Sequence, residues 1–205
     1  MTRDRILDAA SLEIERNGLT QFRVKRVASE AGISVALLYS YFEDREDLIA
    51  ATIVHRFRQV LLGQADIFTR PLRDVKSVTD LRAALHQMIV DAQAPELDRA
   101  RLMRIESMSF AEHNPKASSG IAAAKREASD EILAWVQPLE DHGLLAPGMT
   151  GVAFARIWYA LFFGQIALEG EHALSIGSDA WLEALQILAD AVVRAGDPAS
   201  DGVGP

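Results

Sequence analysis

Apolar residues recur along most of the chain with the three- and four-residue spacing of an amphipathic helix, and no stretch shows the two-residue alternation of a strand. The first apolar stripe consists of Ile6, Leu7, Ala10 and Ile14, and the Asn-Gly pair at residues 17–18 is a typical helix stop. Similar stripes continue to residue 196. The pattern predicts an all-α fold of about nine helices.

Residues that favour helix termini divide these stripes into separate helices. One short helix is predicted from Val24 to Ala31, where Gly32 ends it, and the next runs from after Ser34 to about Tyr41. Pro95 is predicted to break a later helix. The other predicted N-terminal caps are Asp44, Ser77, Asn114, Thr150 and Ser178.

The composition is that of a globular protein, because 49% of the 205 residues are apolar and 24% are charged. The absence of cysteine excludes a disulfide framework, a thiolate metal site and a cysteine nucleophile, and it suits a reducing cytoplasm. No signal-peptide pattern opens the sequence. The most apolar run, over residues 152–168, contains Arg156 and is slightly short for a membrane span. We expect a cytoplasmic protein without membrane association.

The net charge of −8 disfavours a nucleic-acid partner until its distribution is considered. Residues 1–58 carry nine basic and nine acidic side chains, whereas the rest of the chain carries twelve basic and twenty acidic ones. All of the excess acidity therefore lies in the C-terminal part, and the first part remains compatible with nucleic acid.

The two short helices over residues 24–41 meet the requirements of a helix-turn-helix. The positions where they must face each other are apolar, and Ala28 and Gly32 are small where close approach and a positive φ are needed. The apolar positions are Val27, Ala31, Ile33 and Leu38. A plain helical hairpin is the alternative, but it leaves unexplained the hydroxyl-bearing side chains of the second helix and the four basic residues between positions 23 and 45.

Residues 3–48 resemble the DNA-binding domain of the TetR family of bacterial transcriptional regulators. The resemblance rests on Ile-Leu-Asp-Ala-Ala at 6–10, Asn-Gly at 17–18, Val-Ala-Ser-Glu-Ala-Gly-Ile-Ser at 27–34 and Leu-Tyr-Ser-Tyr-Phe-Glu-Asp-Arg-Glu-Asp-Leu at 38–48. It implies a helix-turn-helix DNA-binding domain over 1–48 and a helical ligand-binding and dimerisation domain over 49–196. Residues 197–205 have little to bury and are predicted to form a disordered tail.

The resemblance also implies a set of DNA contacts. The helix capped by Ser34 would enter the major groove and present its outer side chains to base edges, whereas Tyr39, Tyr41 and Arg45 would meet phosphates. The implied contacts are Arg23, Lys25, Ser34, Val35, Ala36, Leu37, Tyr39, Ser40, Tyr41 and Arg45. Three of them depart from the usual family pattern, which has Gly at Ala36, Lys at Arg45 and a Ser or Thr cap at Arg23.

The recognition helix has an unusual chemistry. Residues 34–41 include no Arg, Lys, Asn or Gln, the side chains that pair in bidentate fashion with guanine or adenine. We therefore predict readout through thymine methyl groups, hydroxyls and DNA deformability, with phosphate contacts supplying most of the affinity.

Ten Met, Leu and aromatic residues recur at helical spacing between positions 57 and 162, and most of them suit core packing. Because such side chains also line adaptable pockets, and because the resemblance implies a small-molecule effector, we predict that some of them surround an apolar cavity. The candidates are Phe57, Leu61, Met88, Met103, Met108, Phe110, Trp135, Phe154, Trp158 and Phe162. Candidate polar anchors, each equally suited to a surface or paired position, are His86, Arg101, Arg104, Glu106 and His113.

The last two helices are apolar on more than one face, which predicts burial on both sides. Small residues at helical spacing, Ala160, Gly164 and Ala167, permit close helix approach, and a second strip consists of Leu185, Leu188 and Val192. Pairing with a second copy would form a four-helix interface in a C2 homodimer. The alternative is that these helices only close the core of the monomer.

Enzyme motifs are absent from the sequence. It contains no Gly-rich phosphate loop, no HExxH, no G-x-S-x-G and no metal-ligand spacing among its five His residues. We expect a transcriptional regulator, a repressor by resemblance, with an operator DNA and a small apolar or amphipathic effector as partners and without cofactor or metal. The alternative interpretation is a helical scaffold of the same fold that binds small molecules but does not regulate transcription.

Overall fold

The computed structural model describes residues 2–94, 96–164 and 178–195. Within these ranges the regular structure is helical apart from one isolated bridge between Leu145 and Val193. The helices are α1 (Thr2–Asn17), α2 (Val24–Glu30), α3 (Val35–Leu38), α4 (Arg45–Thr69), α5 (Val78–Asp91), α6 (Glu96–Glu112), α7 (Pro115–Asp141), α8 (Gly151–Gly164) and α9 (Ser178–Val192), with a 3-10 turn at Arg70–Leu72. The predicted all-α class and helix number are confirmed.

Side-chain caps begin several helices at the predicted residues. The Ser77 hydroxyl accepts the Asp80 N–H at 3.1 Å, and the Thr150 hydroxyl accepts the Ala153 N–H at 3.1 Å. The Asn114 side-chain oxygen accepts the Ala117 N–H at 3.0 Å. Each bond satisfies an N–H that the first helical turn leaves without an intrahelical partner. The predicted break at Pro95 and the predicted tail over residues 197–205 lie outside the described residues.

The helix-turn-helix has a shorter second helix than predicted. α3 ends at Leu38, and the Tyr41 N–H bonds the Leu38 carbonyl three residues back at 3.0 Å, which tightens the chain into a turn. α2 also ends one residue early, at Glu30, and Gly32 follows with a φ of +65°. The predicted turn at Gly32 is therefore present, whereas Tyr39, Ser40 and Tyr41 lie in a turn after α3.

Packing divides the chain into two compact units. The first comprises residues 1–61 and 103–126, and the helix-turn-helix lies in it. Its core includes Ile6, Val27, Leu38 and Leu48, all fully buried, so α1 to α4 share one apolar centre. Burying these side chains provides the main driving force that holds the short helices α2 and α3, since isolated helices of this length are unstable in water.

The second unit comprises residues 62–102 and, as far as they are described, the residues from 127 onward. α5 packs against α9, and the core centres on Leu85, Ile89, Phe154 and Leu185. The predicted functional division after residue 48 stays a prediction, because the packing groups residues 49–61 and 103–126 with the N-terminal helices.

Candidate functional site

The recognition segment around α3 presents its predicted contact residues to solvent. Leu37, Tyr39 and Tyr41 are 43%, 45% and 42% exposed, respectively, and Ala36 and Ser40 are also exposed. Leu38 between them is fully buried and anchors the segment to the core. An exposed, partly apolar surface of this kind is available to a large partner.

Three predicted contacts in this segment also have structural roles. The Ser34 hydroxyl accepts the Leu37 N–H at 3.1 Å and so caps α3, as predicted. The Ser40 hydroxyl donates to the Leu37 carbonyl at 2.7 Å, which leaves its oxygen only as an acceptor. Val35 is half-buried and packs against the core, so it is less available to a base edge than predicted.

The start of α2 depends on Glu13, a residue that the sequence analysis did not select. Its carboxylate, 6% exposed, accepts the Arg23 backbone N–H at 3.0 Å, the Arg26 Nε–H at 2.9 Å and the Asn17 amide at 2.9 Å. Arg23 provides no side-chain cap, so Glu13 satisfies the backbone there instead. A carboxylate on the apolar face of α1 was the only sequence signal for this role.

The pKa of Glu13 reflects these contacts. Burial has the largest single effect and raises the pKa of the carboxyl, but the hydrogen bonds from Arg26, from the Arg23 N–H and from Asn17 together outweigh it. The pKa therefore lies below its usual value, and Glu13 is a carboxylate at neutral pH.

Arg45, a predicted phosphate contact, is held in place by neighbours. Its guanidinium donates to the Leu19 carbonyl at 3.0 Å, lies 5.6 Å from the centre of the Phe22 ring and pairs with Glu46. The side chain is 39% exposed at the start of α4. Arg23 and Lys25 are exposed at the start of α2.

Lys116, at the start of α7, is a second residue that the sequence analysis missed. Its Nζ lies 2.8 Å from a Glu43 carboxylate oxygen and 3.0 Å from an Asp47 carboxylate oxygen, which raises the pKa of the Lys116 ammonium. The Glu43 N–H bonds Asp47 at 3.0 Å and is the main cause of the lowered pKa of Asp47, to which Lys116 adds. These bonds define the turn that leads into α4.

The second unit contains a small apolar cavity of about 30 Å³. Its buried walls are Thr69, Leu72, Met88, Val136, Phe154, Trp158 and Phe162, and half-exposed or exposed residues complete it, namely Phe68, Ile132, Ala155 and Tyr159. This volume holds about one or two water molecules, whereas small-molecule sites span roughly 300–1,000 Å³. A larger ligand would therefore have to open the cavity.

Four of the ten predicted cavity residues line it, namely Met88, Phe154, Trp158 and Phe162. Five do not, because they lie in the first unit: Phe57, Leu61, Met103, Met108 and Phe110. Phe57 and Leu61 are buried there, and Phe110 packs against the core of the helix-turn-helix. Trp135 lies outside the lining, with the Arg73 guanidinium 5.4 Å from its ring centre.

The predicted polar anchors do not line this cavity either. Arg101 is buried, donates to the Ala92 carbonyl at 2.6 Å and pairs with Asp98, which is a structural role at the end of α5. His86 lies 3.6 Å from Asp190, which also binds Arg82. Glu106 and His113 are exposed, and Arg104 is buried in the first unit.

The predicted dimer residues fall into two groups. Leu185 and Val192 are buried in the core of the second unit, which corrects their assignment to an interface. Ala160, Gly164 and Leu188 are exposed, and further exposed apolar side chains on α8 and α9 are Val152, Ile157 and Ile187. Ala167 lies outside the described residues.

The described ranges contain neither a candidate metal-binding cluster nor a helix able to span a membrane. No group of three or more His, Cys, Asp or Glu side chains is arranged there to hold a metal ion. None of the helices described combines the length and the apolar character needed to cross a membrane.

Comparison with known proteins links the helix-turn-helix to one family. The family of bacterial regulatory proteins known as tetR matches residues 6–52. The HTH-type transcriptional regulator BetI of Brucella anthropi is 39% identical over 64 residues, which are 31% of this chain and 32% of BetI. The match thus spans about a third of that relative's length.

Longer but weaker similarities cover most of the chain. The HTH-type transcriptional regulator UidR of Escherichia coli is 22% identical over 166 residues, 81% of this chain and 80% of UidR. A TetR-family regulator structure from Mesorhizobium loti superposes with a TM-score of 0.64 at 18% identity, covering 92% of this chain and 93% of that one, which shows a shared fold. Residues 6–52 are therefore similar to the tetR family of bacterial regulatory proteins, and the chain shares the fold of a TetR-family regulator structure.

Proposed function

We propose that the protein represses transcription as a cytoplasmic homodimer that binds a pseudo-palindromic operator and releases it when a small molecule occupies the second unit. The observation that carries the DNA-binding part is the side-chain arrangement around α3. Leu38 is buried while Leu37, Tyr39 and Tyr41 project outward, so the segment is anchored and its polar and apolar contact groups are accessible.

Groove binding by this segment would use two kinds of contact. The exposed Ala36 and Leu37 side chains suit thymine methyl groups, whereas the hydroxyls of Tyr39 and Tyr41 suit phosphate oxygens. Arg45 adds a positive charge at the start of α4, where backbone N–H groups also favour an anion. Two copies related by a C2 axis would place their recognition segments about 34–36 Å apart, one turn of DNA.

Effector control would require coupling between the two units. α4, α6 and α7 each contribute residues to both units, so a change in the second unit has a continuous helical path to the first. A coupling free energy of roughly 1–3 kcal/mol would reduce DNA affinity about 5- to 150-fold. The cavity in the second unit is the candidate effector site.

DNA binding is tested by fluorescence anisotropy with duplexes from the DNA that flanks the protein's own gene. We expect Tyr41→Ala and Arg45→Ala each to weaken binding about 10-fold, because each removes a phosphate contact worth about 1–2 kcal/mol. Arg45→Ala should also reduce the slope of log affinity against log salt concentration by about one unit. Arg45→Lys should largely retain the affinity because it retains the charge.

Two controls separate a lost DNA contact from a folding defect. Arg126→Ala removes a charge from an exposed position on α7 and should leave the affinity nearly unchanged. Melting curves and dimerisation of the Tyr41 and Arg45 variants should match the parent, a necessary check because Arg45 also contacts Leu19 and Phe22. Specific DNA binding that survives both alanine substitutions contradicts the assigned interface.

The alternative function is a small-molecule-binding scaffold that does not act on DNA. It predicts no shift of any duplex from the flanking region at physiological salt, with the folded state and ligand binding intact. The exposed aromatic and basic residues around α3 favour the regulator, because a scaffold has no need to keep them accessible.

A further inference from the structure

Two buried polar groups at the cavity of the second unit lack a hydrogen-bond partner. They are the Thr69 hydroxyl and the Trp158 indole N–H, on side chains that belong to residues 1% and 4% exposed. Both residues line the cavity. Buried polar groups are nearly always paired in folded proteins, so two orphans at one cavity indicate a missing partner.

The Thr69 hydroxyl lacks the bond to a backbone carbonyl that other helical hydroxyls in this protein make. Thr52, also on α4, donates to the carbonyl four residues back at 2.7 Å, and Ser107 on α6 does the same at 2.7 Å. Thr69 makes no such bond and does not cap the 3-10 turn that follows it. Its hydroxyl therefore remains available to whatever enters the cavity.

The surroundings restrict what this partner is. Among the residues that the structure describes, no charged side chain lines the cavity, so a charged molecule would lose its hydration without compensation from them. Phe162 stacks on Phe68 with ring centres 4.8 Å apart and on Trp158 with ring centres 5.4 Å apart. Because these ring faces are already in contact with one another, they do not form a cage for a quaternary ammonium ion.

We propose that the cavity binds an uncharged, mainly apolar molecule whose one hydrogen-bond acceptor, such as a carbonyl oxygen, bonds the Trp158 N–H and the Thr69 hydroxyl. This inference rests on the effector site of the proposed function and specifies the chemistry of its ligand. The ligand enters by displacing the half-exposed or exposed side chains Phe68, Ile132 and Tyr159, since the cavity in this conformation holds only about one or two water molecules.

The first test compares matched probes by isothermal titration calorimetry on the full chain without DNA. Acetophenone carries the carbonyl acceptor, α-methylstyrene has nearly the same shape without it, and tetramethylammonium represents a cation. We expect acetophenone to bind about 3- to 10-fold more tightly than α-methylstyrene, and tetramethylammonium not to bind. Equal affinity for the first two probes, or no saturable binding of acetophenone, overturns the proposal.

Trp158→Phe removes the N–H while keeping an aromatic ring. The affinity ratio of the two aromatic probes should fall to about one in this variant, whereas Trp135→Phe, which changes a tryptophan outside the lining, should leave the ratio unchanged. In an NMR spectrum, acetophenone should move the indole N–H resonance that Trp158→Phe deletes. A ratio that persists in Trp158→Phe overturns the proposal.

Thr69→Val separates a ligand contact from a structural one. Because the Thr69 hydroxyl has no partner, an isosteric methyl group should raise the Tm of the ligand-free protein by about 2 °C and also weaken acetophenone binding about 3-fold. A permanently bound structural water predicts the opposite, a lower Tm with unchanged binding, and that outcome overturns the proposal. These measurements use no DNA, so they test the cavity chemistry separately from the proposed function. If acetophenone binds selectively but does not release DNA from the protein, only the effector role is rejected.

Discussion

At the residue scale, Glu13 determines how the helix-turn-helix begins. Its buried carboxylate connects α1 to the residue that precedes α2, through the Arg23 N–H, and to the side chain of Arg26 in α2. Three donors around one carboxylate offset the desolvation of its charge. The family pattern has a hydroxyl cap where Arg23 stands, whereas here a carboxylate from α1 accepts the N–H of Arg23 itself.

Replacing Glu13 by Gln tests this role. The amide keeps the shape but places an NH2 donor among donors, so we expect the free energy of unfolding to fall by about 2–3 kcal/mol, measured by urea denaturation at pH 7. Glu30→Gln is the matched control, since Glu30 is exposed and 3.5 Å from Arg16, and it should change stability by less than about 1 kcal/mol. Equal effects of the two substitutions would contradict the role of Glu13.

The lowered pKa of Glu13 also predicts a pH dependence. A carboxyl whose pKa is lower in the folded state stabilises fully above its unfolded pKa of about 4.3, and this stabilisation is lost as the pH falls through the folded value. Urea midpoints measured from pH 6 to pH 3 should therefore decline less steeply for Glu13→Gln than for the parent. Parallel profiles would show that Glu13 is not the group responsible.

At the element scale, the start of α7 and the start of α4 are joined through Lys116. Its ammonium bridges Glu43 and Asp47, which flank the residue Arg45 that is predicted to meet a phosphate. A basic residue near the beginning of α7 gave no sequence signal for this role, because its partners lie 69 and 73 positions earlier in the chain.

Lys116→Met should change the titration of Asp47. Removing the ammonium should raise the pKa of Asp47 toward its usual value, but not fully, because the hydrogen bond from the Glu43 N–H remains the larger influence. Carboxyl carbon chemical shifts followed through an acid titration measure the change. Lys125→Met, another exposed lysine on α7, should leave the Asp47 titration unchanged. An unaltered Asp47 pKa in Lys116→Met would show that the bridge does not form in solution.

At the scale of the whole molecule, α8 and α9 leave an apolar surface uncovered. Ile187 is 64% exposed, and Leu188, Val152 and Ile157 are also exposed beside the small residues Ala160 and Gly164. Their other faces, with Phe154 and Leu185, fill the core of the second unit. Two apolar faces on each helix support the proposed homodimer, because the inner one is already used by the monomer.

Sedimentation of charged variants tests the dimer. Ile187→Glu and Leu188→Glu should each weaken self-association about 100-fold or more, because burying an unpaired carboxylate in an apolar interface costs several kcal/mol. Val90→Glu changes an equally exposed residue on α5 and should leave self-association intact. If the parent protein is a monomer at micromolar concentration, the homodimer proposal fails.

The local features of this protein were readable from the order of its residues. Apolar periodicity, the caps at Ser34, Ser77, Asn114 and Thr150, and the glycine turn at residue 32 depend on neighbours within about four positions, so a linear pattern contains them. The family motifs are equally local, since they lie within residues 6–48.

Contacts between residues far apart in the sequence could be identified only from the tertiary structure. Periodicity shows that Leu185 and Leu188 lie on an apolar helix, but only packing decides that the first is buried and the second is exposed. Packing likewise places Phe57 in the first unit, outside the cavity lining, and places Trp158 in the cavity wall. Burial and hydrogen bonding are set by the three-dimensional approach of several helices, a property that no short stretch of sequence carries.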